Sequence, residues 1–377
     1  MSTLRLFGGE LRVRPGRPCP HNLHSSRSDW AFPVTRGQPA ARLPATLASL
    51  FSLCGQAHRL CGQMALDAAR GHEVAWRVPV PAALRAETMR EHLRRICLDW
   101  PRQLAAGDAS TLRGNALDRA FASCPLFGEG ESPGLPRWLE QHLLGMPAAN
   151  WLACWRLEPS RWLAAWSAQA RSATATLLEA IRPAAERPIA GAAPLRVHAG
   201  DAGLRELAAS LHGSAGFSRA PLWQGRCAET GPWARLAATP IVSCDTPWLR
   251  LGARLAELIA LALDTPAEAA APLMSGGLPV APGEGLAWVE MARGLLVHAV
   301  RLDGRDAGAR IEACRVLAPT EWNFHPEGAI ALALASMPGQ PEPVQRRCIR
   351  ALMAAYDPCV PFEIEAAVDA PLEVHDA

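Results

Sequence analysis

The chain of 377 residues contains no lysine; all 38 of its basic residues are arginine, set against 36 acidic ones for a formal charge of +2. That balance leaves no excess of positive charge to draw nucleic acid or an anionic membrane surface, so neither is expected as a partner. Long apolar runs are missing as well. No stretch of about 18 uncharged apolar residues could span a bilayer, and the opening Met1-Ser2-Thr3-Leu4-Arg5 has no apolar signal core. Membrane insertion and export are therefore not expected, and the cytoplasm is the expected location. No CxxC pair occurs among the eleven cysteines, which excludes a zinc ribbon; in the cytoplasm they are expected as thiols rather than disulfides. Repeats, low-complexity tracts and obvious linkers are absent too. With 49% hydrophobic and 20% charged residues the chain can fill a substantial core, and it reads as a single domain over residues 1–377.

What is present centres on Leu53-Cys54-Gly55-Gln56-Ala57-His58-Arg59-Leu60-Cys61. Leu47, Leu50, Phe51, Cys54, His58, Cys61, Met64 and Ala65 recur at three- and four-residue steps, which predicts one long helix from Leu43 to Ala69. Pro44 suits its first turn and Gly71 its stop. At ~100° per residue, Cys54, His58 and Cys61 fall within about 40° of one another, so one buried stripe would carry two thiols and an imidazole. Gly55 and Gly62 would let another backbone approach closely there. Such a stripe is either a set of metal ligands or inert core, since a free cysteine packs as a small hydrophobe. Cys19-Pro20-His21 with His24 has residue types that can chelate a metal, but in a Pro- and Arg-rich loop it reads as surface.

Around this stretch the pattern is mostly helical. Residues 3–14 alternate about Gly8-Gly9 as a short hairpin, and residues 15–42, rich in Pro, Arg and Ser, read as a surface loop. Val74 to Pro81 reads as extended. Helices are predicted at Ala82–Asp99 (stopped by Pro101), Gly114–Ala122, Leu135–Leu144, Ala148–Leu157, Ser160–Ile181 and Asp201–Leu211. Leu195–His198 is a candidate strand. Thr246-Pro247 opens a capped amphipathic helix to Leu263. A Gly/Pro loop over Ser275–Gly285 leads into strands at Leu286–Met291, Leu295–Leu302 and Ala309–Leu317, then helices at Pro326–Ser336 and Pro343–Tyr356. The tryptophans between Trp138 and Trp166 read as core. The sum is an α+β fold, mostly helical, with a small antiparallel sheet and both chain ends returning to one place.

Five segments, in order, carry a resemblance. They are LFSLCGQAHRL, ETGPWAR (Glu229–Arg235), VEMARGLLVHAVRLDG (Val289–Gly304), APTEWNF (Ala318–Phe324) and YDPC ending at Cys359. Together they resemble signatures of the large, catalytic subunit of nickel–iron hydrogenases, which implies that subunit's fold with long central helices. That family has a CGxC pair near the N-terminus and DPCxxC near the C-terminus, four thiolates that hold nickel and bridge to iron. Here Cys54 and Cys359 remain, while Ala57 and Phe362 replace the second members. The family histidine after the first pair falls at Cys61, and Met291-Ala292 precedes Arg293 where the family has Ala-Pro. No cleavable tail with a terminal histidine follows Cys359. This pattern is similar to the hydrogenase expression/formation proteins of the HupK/HoxV type, implicated in assembling the iron centre that carries two cyanides and one carbon monoxide.

The resemblance implies a scaffold rather than an enzyme, holding that iron fragment transiently. Cys54 and Cys359 would be its metal ligands, with Cys61 and His58 as spare ligands or core. Nickel, left with two thiolates, would lose about half its protein bonds and is not expected. Iron with two cyanides and two thiolates carries a formal charge of about −2, costly to bury without fixed donors. Arg293 and Thr320 match the family's donors to the two cyanides, and Pro319 would wall off water. A guanidinium stays ionised and offers several N–H groups. In the enzymes the retained cysteines are the terminal nickel ligands, so the fragment would sit displaced towards Cys54 and Cys359, or a partner would supply a thiolate. The implied partners are the small cysteine-bearing maturation chaperone and the hydrogenase large-subunit precursor. The alternatives are a catalytic large subunit and a metal-free docking chaperone. Arg293 could instead pair with Glu290 or Asp303 on the sheet surface. Glu229, Arg235, Trp322 and Asn323 read as structural, His298 as a core histidine, and Cys97, Cys124, Cys154, Cys227, Cys244, Cys314 and Cys348 as packing.

Overall fold

The computed structural model describes residues 8–104, 114–128, 134–190, 193–196, 200–214, 216–236, 245–264, 273–337 and 341–365. Cys244, the first part of the 3–14 hairpin and the end of the candidate strand at 195–198 lie outside these residues.

Two sheets position the rest. Near the N-terminus β1 (Leu11–Val13) pairs antiparallel with β2 (Leu23–Ser25). The other edge of β1 takes β8 (Phe362–Ile364) in parallel, with Leu11 opposite Phe362, and this joint returns the C-terminal segment to the N-terminal one. The larger sheet is antiparallel, in the order β3 (Val78–Pro79), β4 (Met274–Ala281), β5 (Glu284–Met291), β6 (Gly294–Leu302) and β7 (Ile311–Leu317). Its central strands are buried on both faces. Ala287, Val289 and Leu296 enter one apolar cluster, while Leu286, Trp288 and Val297 enter another.

The predicted single helix from Leu43 to Ala69 is two. α1 (Leu43–Leu50) ends at Phe51 (φ −113°, ψ 55°), a 3-10 turn covers Ser52–Cys54, and α2 (Gly55–Arg70) starts afresh. Gly55 allows the fold: a Cβ there would stand 3.1 Å from the Ala48 carbonyl oxygen of α1. At Gly62 a Cβ would meet the Leu47 side chain at 3.1 Å and backbone only at 3.6 Å, so the close backbone approach expected of both glycines occurs at Gly55. Gly71 ends α2 in the left-handed conformation. Against α2 lies β5, so close that a Cβ on Gly285 would come within 2.3 Å of the Ala65 oxygen.

Behind the sheet stands a helical layer. α3 (Ala82–Arg94) continues through a π-turn at Arg95–Asp99 into Trp100–Leu104, so Pro101 does not stop it. Proline lacks an N–H to donate, and the wider turn just ahead of it absorbs the missing bond. The stretch Ser160–Ile181 divides into helices Pro159–Gln169 and Ala173–Ala185, the second capped by Ser172 accepting from the Ala175 amide at 3.2 Å. α4 (Asp201–Gly213) covers the second face of the sheet. α5 (Pro247–Ala262) is capped as predicted, with Thr246 Oγ1 accepting from the Leu249 amide at 3.1 Å. The short α6 (Pro319–Asn323) and the long α7 (Glu342–Tyr356) complete the layer. Trp151 stacks on Trp155 and meets Trp166 edge-on in its core.

A candidate metal-fragment site at the chain ends

The break before Gly55 decides what the Cys54 stretch can do. Cys54 sits at the mouth of α2, outside its helical stripe, while His58 and Cys61 face the sheet. The predicted common face of Cys54, His58 and Cys61 is thus corrected. The Glu87 carboxylate of α3 caps the new helix start, accepting from the Gln56 amide at 2.8 Å and the Ala57 amide at 3.1 Å. Cys61 is fully buried and donates to the Ala287 carbonyl at 3.3 Å. His58 is buried, stacks on Phe51 at 4.1 Å and meets His298 with a ring-nitrogen separation of 3.0 Å. Burial pushes the Cys61 thiol up, and burial with the neighbouring His298 and Arg27 keeps His58 uncharged. His298 is a core histidine, as the sequence suggests.

Cys359 reaches the same region from the other end of the chain. It follows α7 by way of Asp357, whose left-handed backbone (φ 53°) turns the chain towards β8. Thr320 Oγ1 lies 3.1 Å from Cys359 Sγ and accepts from the Cys359 amide at 3.3 Å. Pro319 is buried at the first position of α6, which fixes Thr320 there. Arg27 also donates to Cys359 Sγ and is held by Glu321 at 2.7 Å. Nothing in its local pattern marks Arg27 among the arginines of residues 12–42. The pairing of β2 with β1, and of β1 with β8, brings it to the sulfur. Both cysteines are partly exposed. Cys54 lies within electrostatic reach of Arg293, Cys359, Glu87 and Glu91. Desolvation pushes its thiol up to about 12 against the pull of Arg293.

Arg293 occupies the two-residue turn between β5 and β6, where Met291 pairs with Gly294. It is 1% exposed and pairs with Glu91 at 2.8 Å and Asp357 at 3.5 Å, rather than with Glu290 or Asp303. Burial opposes its charge, but Asp357, Glu91 and the two cysteines outweigh that and hold its pKa above the usual guanidinium range. Its Nη1 is buried with no hydrogen-bond partner among the described residues. Asp357 also pairs with Arg95 at 2.7 Å and Arg254 at 3.1 Å. Burial alone would raise its pKa; these guanidinium groups hold it well below the ordinary carboxylate range.

The remaining motif segments lock the same region. Glu229 accepts from Trp233 Nε1 and from the Tyr356 hydroxyl, each at 2.9 Å, and pairs with Arg250 at 2.9 Å. The Asn323 side chain clamps the Thr230 backbone, while Thr230 Oγ1 accepts from the Leu295 amide at 2.8 Å. Arg235 pairs with Glu257 at 2.7 Å and donates to the Met291 carbonyl at 3.2 Å. Five stretches scattered over the chain therefore meet around Arg293 and Cys359. Cys227 does more than pack: its sulfur lies 3.2 Å from His325 Nδ1.

Two thiols, two hydroxyl or guanidinium donors to one of them, and a buried free N–H make a cradle for an anion that needs few protein ligands. Among the described residues no group of three or more His, Cys, Asp or Glu side chains is arranged to hold a metal ion. No helix among the described residues is long and apolar enough to cross a membrane.

This architecture is the nickel–iron hydrogenase large-subunit fold. The chain superposes on the NiFeSe hydrogenase of D. vulgaris Hildenborough with a TM-score of 0.51 at 16% identity, covering 89% of this chain and 92% of that one. It matches the NiFeSe hydrogenase of Dm. baculatum with a TM-score of 0.50 at 15% identity, over the same shares. No protein-family model matches. The chain is 41% identical over 371 residues to the hydrogenase expression/formation protein HoxV of Cupriavidus necator, covering 95% of this chain and 96% of the relative. It is 32% identical to HupK of Rhizobium leguminosarum bv. viciae over 95% of both chains, and 35% identical to HupK of Bradyrhizobium diazoefficiens over 88% and 90%. The chain belongs to the HoxV/HupK family of hydrogenase expression/formation proteins.

Proposed function

We propose that this protein is a non-catalytic scaffold of hydrogenase maturation that holds an iron fragment bearing two cyanides and one carbon monoxide between Cys54 and Cys359. Arg293 carries the reading. A fully buried guanidinium with an unused N–H, within electrostatic reach of both sulfurs, suits a terminal cyanide nitrogen and offsets the charge of the iron–thiolate unit. Thr320 and Arg27 hold the Cys359 sulfur in place. Ala57 and Phe362 offer no sulfur for a second metal, so the fragment is bound through few protein bonds and leaves readily. Its donor is a maturation chaperone and its recipient a hydrogenase large-subunit precursor.

The test is infrared spectroscopy on protein purified anaerobically from cells that express the maturation system. Cyanide and carbon monoxide stretches are expected with iron and without nickel, and Cys54→Ser and Cys359→Ser should each abolish them. Arg293→Ala should weaken retention of the same bands. Nickel together with hydrogen uptake would overturn the scaffold reading. If both serine variants still supported maturation, a metal-free docking role would replace it.

A further inference from the structure

The two sulfurs differ in their surroundings. Cys359 Sγ receives two donors, the Arg27 guanidinium through Nη1 and the Thr320 hydroxyl at 3.1 Å. No hydrogen bond reaches the Cys54 sulfur among the described residues, and charge acts on it only through space. Arg27 is thus the one charged group in hydrogen-bond contact with either sulfur among the described residues. Glu321 holds it at Nε, 2.7 Å away, which leaves Nη1 for the sulfur. Thr320 and Glu321 are neighbours on α6, so one short helix both supplies the hydroxyl and anchors the guanidinium.

Small ions can reach this place. A pocket of about 240 Å³ is lined by Arg27, Thr320, Glu321 and Phe51, and so extends to both donors of Cys359. On another side Cys359 itself lines an open cleft of about 600 Å³, so closure does not keep ions off it. Two partly exposed thiols would ordinarily take up divalent cations such as nickel or zinc. Charge is what remains to discriminate. Arg27 bears on Cys359, and Arg293 bears on both sulfurs. Carboxylates offset part of their charge, but in both arginines they take Nε or Nη2 and leave Nη1 unclaimed by an anion. Ferrous iron with two cyanides and one carbon monoxide is formally neutral, whereas a bare divalent cation carries its full charge. Either cargo displaces the same thiol protons. The neutral fragment leaves the thiolate charge in place to face the two guanidinium groups. A bare cation cancels that charge and stands at short range from two groups of its own sign.

We propose that Arg27 is the residue that selects the cargo, keeping bare divalent cations off Cys359 and Cys54 while admitting a formally neutral iron fragment. The proposal rests on the function proposed above, to which it adds selectivity. Arginine suits the task because it stays ionised and has no lone pair to offer a metal. A histidine in its place could itself become a ligand.

Selection is testable on the unloaded full chain with nickel(II) alone, without the maturation machinery. Anaerobic titration is followed by thiolate-to-nickel absorption, and Cys54→Ser/Cys359→Ser supplies the background, so the signal reports these two sulfurs. Arg27→Gln and Arg27→Met, each with an unchanged circular dichroism spectrum, should bind nickel at least about tenfold more tightly than the parent. Arg27→Lys, which keeps the charge, should stay within about threefold of the parent. Equal binding, or none, in the parent and both neutral variants would overturn the proposal. So would an Arg27→Lys chain that took nickel as tightly as the neutral variants, because covering of the sulfur rather than charge would then be the cause. If the purified parent lacked the infrared bands, the scaffold reading would fail, while the nickel titration would still decide the role of Arg27.

Discussion

Two layers lie one on the other at the meeting of the chain ends, and they are built differently. The lower is a lattice of buried ions in which Asp357 gathers Arg293, Arg95 and Arg254 while Glu257 joins Arg235 and His92. The upper is a pair of partly exposed thiols with a cleft beside them. Charges in the lower layer pair with one another, while the Arg293 Nη1 group is left without a hydrogen-bond partner among the described residues. The thiols above are partly exposed, and Cys359 is also met by Thr320 and Arg27. Under the proposed function, a fixed floor beneath two accessible thiols suits ligands that are presented accurately and then released.

Glu257→Gln should break the floor, and it carries the largest expected effect. Glu257 accepts from Arg235 at 2.7 Å and 2.8 Å and meets His92 at 2.7 Å, all buried. Removing its charge leaves a buried guanidinium unpaired, a loss of about 3–5 kcal/mol at neutral pH. The pH dependence has a definite sign. Burial would raise the Glu257 pKa, but Arg235 and His92 bring it down from 4.5 to about 2. Its contribution is therefore full above the ordinary carboxylate value and is lost as the pH falls towards 2. The stability gap between parent and variant, read from denaturant unfolding, should narrow steadily below pH 4.5. A gap that stayed constant into acid would mean that the charge is not what holds the floor.

Much of this was legible from residues alone, and the misses share a cause. Strands β5, β6 and β7 follow from their apolar runs and the turns between them, whereas β4 reads as loop because Gly276, Gly277 and Pro279 interrupt it. Cys54, Cys359, Arg293 and Thr320 stand out by type and motif, and the structure gathers them at one place. The helix break did not stand out, because the apolar period runs unbroken through Phe51, Cys54 and His58 while the fold turns at Gly55. Arg27, Glu87 and Glu91 escaped notice because each acts through a contact distant in sequence. Asp357 lay in plain view within Tyr356-Asp357-Pro358-Cys359, and only the three arginines around it reveal its weight.

Cys61 sharpens the contrast between inert and exchangeable sulfur. It lies seven residues from Cys54, yet it is sealed between α2 and β5 with its thiol on a backbone carbonyl. Cys61→Ala should cost about 1 kcal/mol of stability through lost packing. The infrared bands expected of the loaded protein should persist in it, whereas Cys54→Ser should lose them with little change in melting temperature. The reverse pattern would move the ligand role from the mouth of α2 to its buried face.

The smallest effect is a rate. A thiol pushed up to about 12 is almost wholly protonated at neutral pH, so Cys54 should react slowly with iodoacetamide despite being partly exposed. Its alkylation, followed by peptide mass spectrometry, should speed up roughly tenfold per pH unit through the alkaline range, as the thiolate fraction does. Arg293 pulls the other way on this thiol, so Arg293→Lys, which keeps the charge, should leave the profile nearly in place, while Arg293→Ala should move it to higher pH. A displacement confined to the alanine variant would tie Cys54 to the charge in the turn between β5 and β6. Identical profiles in parent and alanine variant would detach the upper layer from the floor beneath it, and Arg293 would no longer have a reason to be counted with the sulfurs.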